Sequence, residues 1–116
     1  MRPIVICDWG DVVVVPFPFT DLSISKRRPA LVLSNEAFNF ANQHSILVMI
    51  TTAAKSSWPS DIQITDLAII GLPRRSFLRW KVFTLPNGLI QKKLGKLAIS
   101  DRATISASQT AILGRS

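Results

Sequence analysis

Three consecutive basic residues, Lys26, Arg27 and Arg28, stand directly before Pro29 and a short apolar run. The guanidinium group of arginine is planar and always charged, so it can donate two hydrogen bonds at once to a phosphate group. Basic residues at the start of a strand therefore suit a phosphate site. The composition leaves an alternative equally open, namely a solvated loop whose charges only keep the protein soluble.

Few residues are available for other kinds of catalysis. His44 is the single histidine, so a mechanism with two imidazoles is disfavoured, and no His or Cys spacing matches a metal site. Glu36 is the single glutamate, and carboxylates are too sparse for a two-metal nuclease. Cys7 is the one cysteine and is expected to be a small buried hydrophobic residue. No metal or cofactor is predicted.

The charge balance is strongly basic. The chain has 14 Lys and Arg residues against 7 Asp and Glu residues, a formal net charge of +7. A positive charge of this size attracts polyanions, but it does not distinguish RNA, DNA and acidic protein. Two further basic clusters comprise Arg74, Arg75 and Arg79, and Lys92, Lys93 and Lys96. Alternation around Leu94 predicts that these lysines lie on an outer face.

Short apolar runs between turn residues predict a mainly β chain. Strands are expected near residues 11–17, 29–34, 45–51, 61–65, 78–84 and 90–96. Pro16 and Pro18 are expected to end the first strand and Pro29 to begin the second, with residues 20–26 as the loop between them. Asn87 and Gly88 are expected to form a turn.

The C-terminal segment predicts a helix. Ser100 is the expected N-cap and Gly114 the expected stop, with Ile105, Ile112 and Leu113 on one side. The 116 residues, 47% of them hydrophobic, suffice for one domain spanning 1–116. No apolar run approaches the roughly 18 residues that span a bilayer, and no cleavage signal follows the N-terminus, so a cytoplasmic location is expected.

Six segments, in order, resemble one known family: GDVVVVPFPFTD, RRPALVLSN, ILVMITTA, SSWPSDIQI, GLPRRSFLRWKVFTL and IQKKLGKL. The chain is similar to the MazF/PemK toxin endoribonucleases, the toxin halves of type II toxin–antitoxin modules. The resemblance implies a small, strongly bent antiparallel barrel of Src-homology-3-like (CcdB, MazF and PemK) type with a C-terminal helix, usually as a homodimer. Many members have an I-R-T segment where this chain has Val82, Phe83 and Thr84, and this departure resembles the PemK-like branch.

The resemblance implies that the arginine before the proline is catalytic and that a threonine of the next strand lies beside it. These positions are Arg28 and Thr51. Thr52 is the alternative because the doubled threonine leaves the register open by one, and neighbouring strand residues face opposite sides. Without the resemblance, a threonine there would be explained by β propensity. Glu36 is a candidate general base.

A metal-independent reaction is the expectation that remains. The RNA 2′-hydroxyl attacks the adjacent phosphorus and leaves a 2′,3′-cyclic phosphate, while Arg28 stabilises the anionic transition state and Thr51 donates to a phosphate oxygen or orients the hydroxyl. The residues expected to contact RNA are Phe17, Phe19, Thr20, Asp21, Ser25, Lys26, Arg27, Trp58, Arg74 and Arg75. Trp80 is expected in the core or, with Phe77, in a dimer interface.

The expected partners are single-stranded RNA, a second copy of the chain, and a cognate antitoxin with an acidic disordered segment, with which the toxin would bind DNA. Two alternatives come from other classes. One is a CcdB-like toxin that binds DNA gyrase and has no nuclease site, against which Arg28 and Thr51 argue. The other is a small basic RNA-binding barrel, although the lysine-rich tails common in such proteins are missing.

Overall fold

The computed structural model describes residues 4–17 and 26–114. Six strands form one antiparallel sheet, curled into a half-barrel, in the order β4-β5-β3-β2-β1-β6. The strands are β1 (Asp11–Phe17), β2 (Lys26–Val32), β3 (His44–Thr52), β4 (Ile62–Gln63), β5 (Ser76–Pro86) and β6 (Lys92–Lys96). The helices are α1 (Glu36–Asn42) and α2 (Ile99–Ile112), with 3₁₀ turns at Ala68–Ile70 and Asn87–Leu89. The mainly β fold with a C-terminal helix is confirmed.

Both faces of the sheet are apolar over much of their area, which fits the unbroken Val12–Val15 run. The first face holds the larger core cluster, made of Val12, Leu31, Val48, Ile50, Ile64, Ile70, Leu78, Leu97 and Ile105. The second face holds Cys7, Val13, Val15, Ala30, Val32, Leu47, Leu85 and Ile90. Burial raises the pKa of the Cys7 thiol to about 11, so this residue is the buried hydrophobe expected.

Pro29 lies in the middle of β2, so its expected place at the start of the strand is wrong. The N–H of Leu33 donates to the carbonyl of Ile46 on β3 at 2.8 Å. Odd-numbered residues of β2 therefore direct their backbone polar groups toward β3. Because β2 and β3 pair only from Ala30 onward, the missing N–H of Pro29 falls where no partner strand needs it.

Pro16 behaves in the same way, and the expectation that it ends β1 is also wrong. Pairing of β1 with β2 continues to Phe17 and Lys26. The N–H of Gln91 donates to the carbonyl of Val14 at 2.8 Å, so even-numbered residues of β1 face β6. Pairing with β6 ends at Val14, and the proline nitrogen lies beyond it. Pro18 lies outside the described residues.

Other element boundaries also differ from the sequence prediction. β2 begins at Lys26 because it pairs with the end of β1, β4 is confined to two residues, and β5 extends at both ends along β3. The 3₁₀ turn at Asn87–Leu89 confirms the predicted turn but delays β6 to Lys92. Helix α1 was not predicted; the Asn35 side chain caps it by accepting from the Phe38 N–H at 2.9 Å.

The N-terminus of α2 differs from expectation. The helix begins after Ala98, without a side-chain cap, and Ser100 already lies within its first turn. Asp101 instead anchors the helix end, because its carboxylate accepts from the N–H groups of Thr65 and Asp66 at 3.1 Å. Gly114 has a φ of +75°, as suits the predicted stop.

The apolar side of α2 is less buried than predicted. Ile105 is buried, whereas Ile112 and Leu113 are 45% and 58% exposed. An apolar groove of about 170 Å³ lies there. Its lining comprises Leu33, Ser34, Ile46, Val82, Gln109 and Leu113. Phe77 is buried and Trp80 packs half-buried on the first core cluster, so neither is free to form the dimer interface expected of them.

Lys92 and Lys93 of β6 are exposed and Lys96 is partly buried, and two of these lysines form ion pairs. Lys93 and Lys96 place their Nζ atoms 3.4 and 3.5 Å from the buried carboxylate of Asp11. These ion pairs follow from the β1–β6 register, which brings Asp11 opposite Lys96. Neither helix described here is long and apolar enough to cross a membrane.

Candidate active site

A pocket of about 250 Å³ opens on the second face of the sheet. Its lining comprises Phe17, Arg28, Met49, Thr51, Arg79 and Lys81. Four strands contribute these side chains, and alternation along each strand explains which residues face the pocket. Arg28 follows the same parity on β2 as the core residues Ala30 and Val32, and Phe17 continues the row of Val13 and Val15.

The positions of Arg28 and Thr51 follow from the β2–β3 register. The last paired residues of these strands are Ala30 and Met49, and the same register placed two residues further brings Arg28 opposite Thr51. Their backbones are not paired there, because β2 presents the nitrogen of Pro29 to β3 at this point. The two side chains line the same pocket.

Thr52 faces the other way. It lines a second pocket, of about 390 Å³, together with Ala53, Ala54, Arg74 and Arg75. The structure thus brings Thr51, and not Thr52, beside Arg28. Arg75 is partly engaged, since its Nη1 donates to the carbonyl of Ala54 at 2.9 Å.

Arg79 was noted only as part of a basic cluster, and Asp61, Met49 and Lys81 were not predicted to belong to this region. Arg79 donates from Nε and Nη2 to the two carboxylate oxygens of Asp61, at 3.1 and 2.9 Å. The arginine lowers the pKa of Asp61 from 3.8 to about 2, and the carboxylate raises the pKa of Arg79 in turn. Among the described residues Arg28 has no such carboxylate partner.

Strand β5 provides the other two cations of the pocket, Arg79 and Lys81, and its pairing with β3 is irregular there. Val82 and Arg79 pair with the consecutive residues Val48 and Met49, so two extra residues, Trp80 and Lys81, lie between them. Bulges of this kind bend a strand and redirect its side chains. Lys81 and Arg79 both line the pocket.

Trp58 lies at the rim of the pocket. Its ring centre is 5.5 Å from Cζ of Arg79 and 5.6 Å from Nζ of Lys81, which are cation–π distances. The residue is 38% exposed. The predicted RNA-contacting tryptophan is thus joined to two cations that line the pocket.

The remaining predicted residues divide into three groups. Lys26 is exposed and shares the parity of Arg28, whereas Arg27 projects from the opposite face and donates to the Gln91 side chain at 3.1 Å. Glu36 is exposed at the start of α1, past the other end of β2, and does not line the pocket. Four predicted contacts, Phe19, Thr20, Asp21 and Ser25, lie outside the described residues.

The donor set does not suit a metal ion. In residues 4–17 and 26–114, no three side chains from His, Cys, Asp and Glu lie together as metal ligands. The chemistry that the pocket offers is that of three cations, one hydroxyl group and the thioether and aromatic walls of Met49 and Phe17. Such a pocket can bind and polarise an anion.

A family model described as "PemK-like, MazF-like toxin of type II toxin-antitoxin system" matches residues 8–112. The chain belongs to this family. The match with this family of PemK-like and MazF-like toxins includes every strand of the sheet and all of α2. A comparison with curated proteins gives no match.

Solved structures of MazF-like toxins share the fold. A MazE–MazF complex (form III) from Deinococcus radiodurans is 26% identical, with a TM-score of 0.76 over 97% of this chain and all of that chain. An endoribonuclease in complex with its cognate antitoxin from a mycobacterial species is 18% identical, with a TM-score of 0.74 over 96% of each chain. The Mycobacterium tuberculosis toxin MazF-mt6 is also 18% identical, with a TM-score of 0.68 over 91% of this chain and 98% of that one.

Proposed function

We propose that this PemK-like toxin is a metal-independent endoribonuclease that cleaves single-stranded RNA at the pocket of Arg28 and Thr51. The 2′-oxygen attacks the adjacent phosphorus, the bond from phosphorus to the 5′-oxygen breaks, and the proton lost by the 2′-hydroxyl is balanced by one gained at the 5′-oxygen. The products are a 2′,3′-cyclic phosphate and a 5′-hydroxyl end. Sequence-specific cleavage of mRNA would stop translation and growth.

The observation that carries the proposal is the shared pocket of Arg28 and Thr51. The phosphorus passes through a crowded, doubly anionic state, and fixed donors aimed at its oxygens lower the barrier. Arg28 can present two donors in one plane, and no described carboxylate competes for them. Thr51 adds one hydroxyl, which can donate to a phosphate oxygen or orient the 2′-hydroxyl.

Arg79 and Lys81 have a different part in the proposal. The Nε and one Nη of Arg79 donate to Asp61, so this residue contributes mainly a positive electrostatic potential and few free hydrogen-bond donors. Lys81 is exposed and supplies a mobile charge that attracts the RNA backbone. Glu36 does not line the pocket, and we assign it no role as a base.

The deciding experiment incubates purified protein with a mixed-sequence RNA in the presence and absence of EDTA. We expect cleavage to persist in EDTA and the fragments to end in cyclic phosphate and 5′-hydroxyl groups. An Arg28→Ala preparation purified identically controls for contaminating nucleases. Cleavage that stops in EDTA and returns with divalent metal would contradict the mechanism, and intact RNA alongside growth arrest would favour a binding toxin.

The proposal includes two protein partners. An antitoxin with an acidic disordered segment would be attracted to the basic pocket and would cover it while folding on its surface. If the antitoxin covers the pocket, co-expression with it should restore growth and block cleavage.

A second copy of the chain would bury the apolar groove beside α2.

A further inference from the structure

The carboxylate of Asp61 joins a surface loop to the strand that lines the pocket. Its side chain is fully buried. It accepts from the N–H groups of Ser57 and Trp58, both at 3.1 Å, and from two nitrogens of Arg79. The Nη2 of Arg79 also donates to Oγ of Ser57 at 2.6 Å. Four donors thus converge on one carboxylate, which fixes the backbone at Trp58 relative to β5.

The ring of Trp58 is the element that this arrangement places. It rests on Arg79 and Lys81, which also line the pocket, and more than a third of the residue is open to solvent. An indole used only for packing would be more deeply covered. An exposed, fixed aromatic ring beside a cationic pocket has the two parts that bind single-stranded RNA, a stacking surface and a charged path for the backbone.

We propose that Asp61 is a positioning residue that holds Trp58 as a stacking platform for one unpaired base of the RNA bound at the pocket. This inference rests on the proposed function. Asp61 touches no RNA itself; it acts by ordering the loop before binding, so less conformational freedom is lost when the base stacks.

The proposal makes a prediction opposite to that of simple electrostatics. Replacing Asp61 by asparagine removes a negative charge next to a basic pocket, and charge alone would make RNA bind more tightly. If Asp61 instead positions Trp58, Asp61→Asn weakens binding because the platform loosens. The sign of the change therefore separates the two effects.

The experiment measures binding of a fluorescent, 2′-O-methylated single strand of roughly 12 nucleotides, within the length range of such sites. The 2′-O-methyl group blocks the attacking oxygen, so binding is observed without cleavage. The proteins are the wild type, Asp61→Asn, Trp58→Ala and the double variant. Asp66→Asn is the matched control, because Asp66 is an exposed loop carboxylate that caps a turn through the Ile69 N–H.

We expect Asp61→Asn and Trp58→Ala each to weaken binding by roughly tenfold, the effect of losing one stacked base. The double variant should bind no more weakly than Trp58→Ala alone, whereas Asp66→Asn should bind as the wild type or slightly more tightly. In single-turnover cleavage, Asp61→Asn should raise the half-saturating RNA concentration more than it lowers the maximal rate. Equal or tighter binding by Asp61→Asn, or additive losses in the double variant, would overturn the proposal.

Thermal unfolding of each variant shows whether it is folded. If Asp61→Asn has no cooperative transition, Asp61→Glu takes its place in the same set, and the same non-additivity with Trp58→Ala decides the outcome. Cleavage of unmodified RNA by the wild type is measured alongside. Absence of cleavage would refute the proposed function, while the binding set would still report whether Asp61 positions Trp58.

Discussion

Arg28 and Thr51 oppose each other on β2 and β3, two residues beyond the last backbone pair of those strands. Each residue is held by pairing on its other side, Arg28 with β1 and Thr51 with β5, so the two side chains share a space without a ladder between them. This relationship makes each residue separately testable, because neighbouring residues on the same strands face elsewhere.

Arg28→Ala should slow single-turnover cleavage by roughly 10²- to 10³-fold, the cost of removing a preorganised donor to a developing negative charge. Binding should weaken much less, since the other cations still attract the RNA. Arg28→Lys should not restore the rate, because an ammonium group lacks the planar pair of donors. Rates are measured on one defined RNA at saturating protein.

Arg27→Ala is the matched control for that series. Arg27 is exposed on the opposite face of β2, so its removal should weaken binding and flatten the salt dependence while leaving the saturated rate nearly normal. A wild-type rate for saturated Arg28→Ala would show that Arg28 only binds RNA.

Thr51→Val should slow cleavage, whereas Thr52→Val should not. Valine keeps the β-branched shape and strand preference of threonine but has no hydroxyl group. A hydrogen bond to a charged group is worth roughly 1.5–3 kcal/mol, so the loss at Thr51 should be about tenfold or more. The same single-turnover assay compares both variants, and equal rates for the two would remove Thr51 from the site.

The ion pair of Asp61 and Arg79 should make the free energy of unfolding depend on pH in the acid range. The pKa of Asp61 falls from 3.8 to about 2 in the folded protein, so its ionised form stabilises the fold fully above about pH 4. This contribution is lost as the pH falls through about 2. Urea unfolding of the wild type and Asp61→Asn should therefore differ most above pH 4 and converge toward pH 2.

Arg79→Gln tests the cause of that pH dependence. With the guanidinium gone, the largest source of the lowered pKa is missing, and a second change of Asp61→Asn should have an effect that varies little between pH 4 and pH 2. A wild-type pH dependence in Arg79→Gln would assign the shift to the loop N–H groups instead.

Gly95→Ala should destabilise the fold. Gly95 has a φ of +152° beside the bulge at Leu94, and an added Cβ would lie 3.0 Å from the carbonyl oxygen of Ile69. Strain of this kind costs roughly 1–3 kcal/mol. Gly88→Ala is the control, because a Cβ there meets nothing within 4 Å, and it should be neutral or stabilising in urea denaturation.

The protein should be a dimer at micromolar concentration by light scattering. Val82 and Leu113 border the apolar groove and are 49% and 58% exposed, an unusual arrangement for a small monomer. Val82→Glu should shift the mass toward the monomer, whereas the equally exposed Ile69→Glu should not. A monomeric wild type that still cleaves RNA would count against a dimer.

The sequence predicted the parts of the fold and site that depend on local pattern. Arg28 and the strands are contiguous motifs, so they could be recognised directly. Arg79 could not be assigned to the pocket, because its place depends on two extra residues in β5 and on a carboxylate 18 residues earlier in the chain. Helix α1 has only seven residues, too few for a recognisable repeating pattern of apolar residues, although Asn35 before Glu36 is a cap signal.

Pro16 of β1 and Pro29 of β2 were also misplaced by the sequence prediction, again because their places depend on strand pairing. Proline was expected to end or begin each strand. Whether a strand tolerates a proline inside it depends instead on whether the proline nitrogen faces a neighbouring strand that is paired there. That depends on strand pairing, which a single sequence does not determine.

Pro16 and Pro29 have a consequence for how the molecule avoids its own aggregation. The β1–β2 ribbon continues past the last residues that pair with β3 and with β6, so each of its outer edges would otherwise offer N–H donors to a strand from another chain. A proline removes one donor from each edge, while the ladder within the ribbon stays intact. The ribbon can therefore present Arg28 to the pocket without recruiting a further strand.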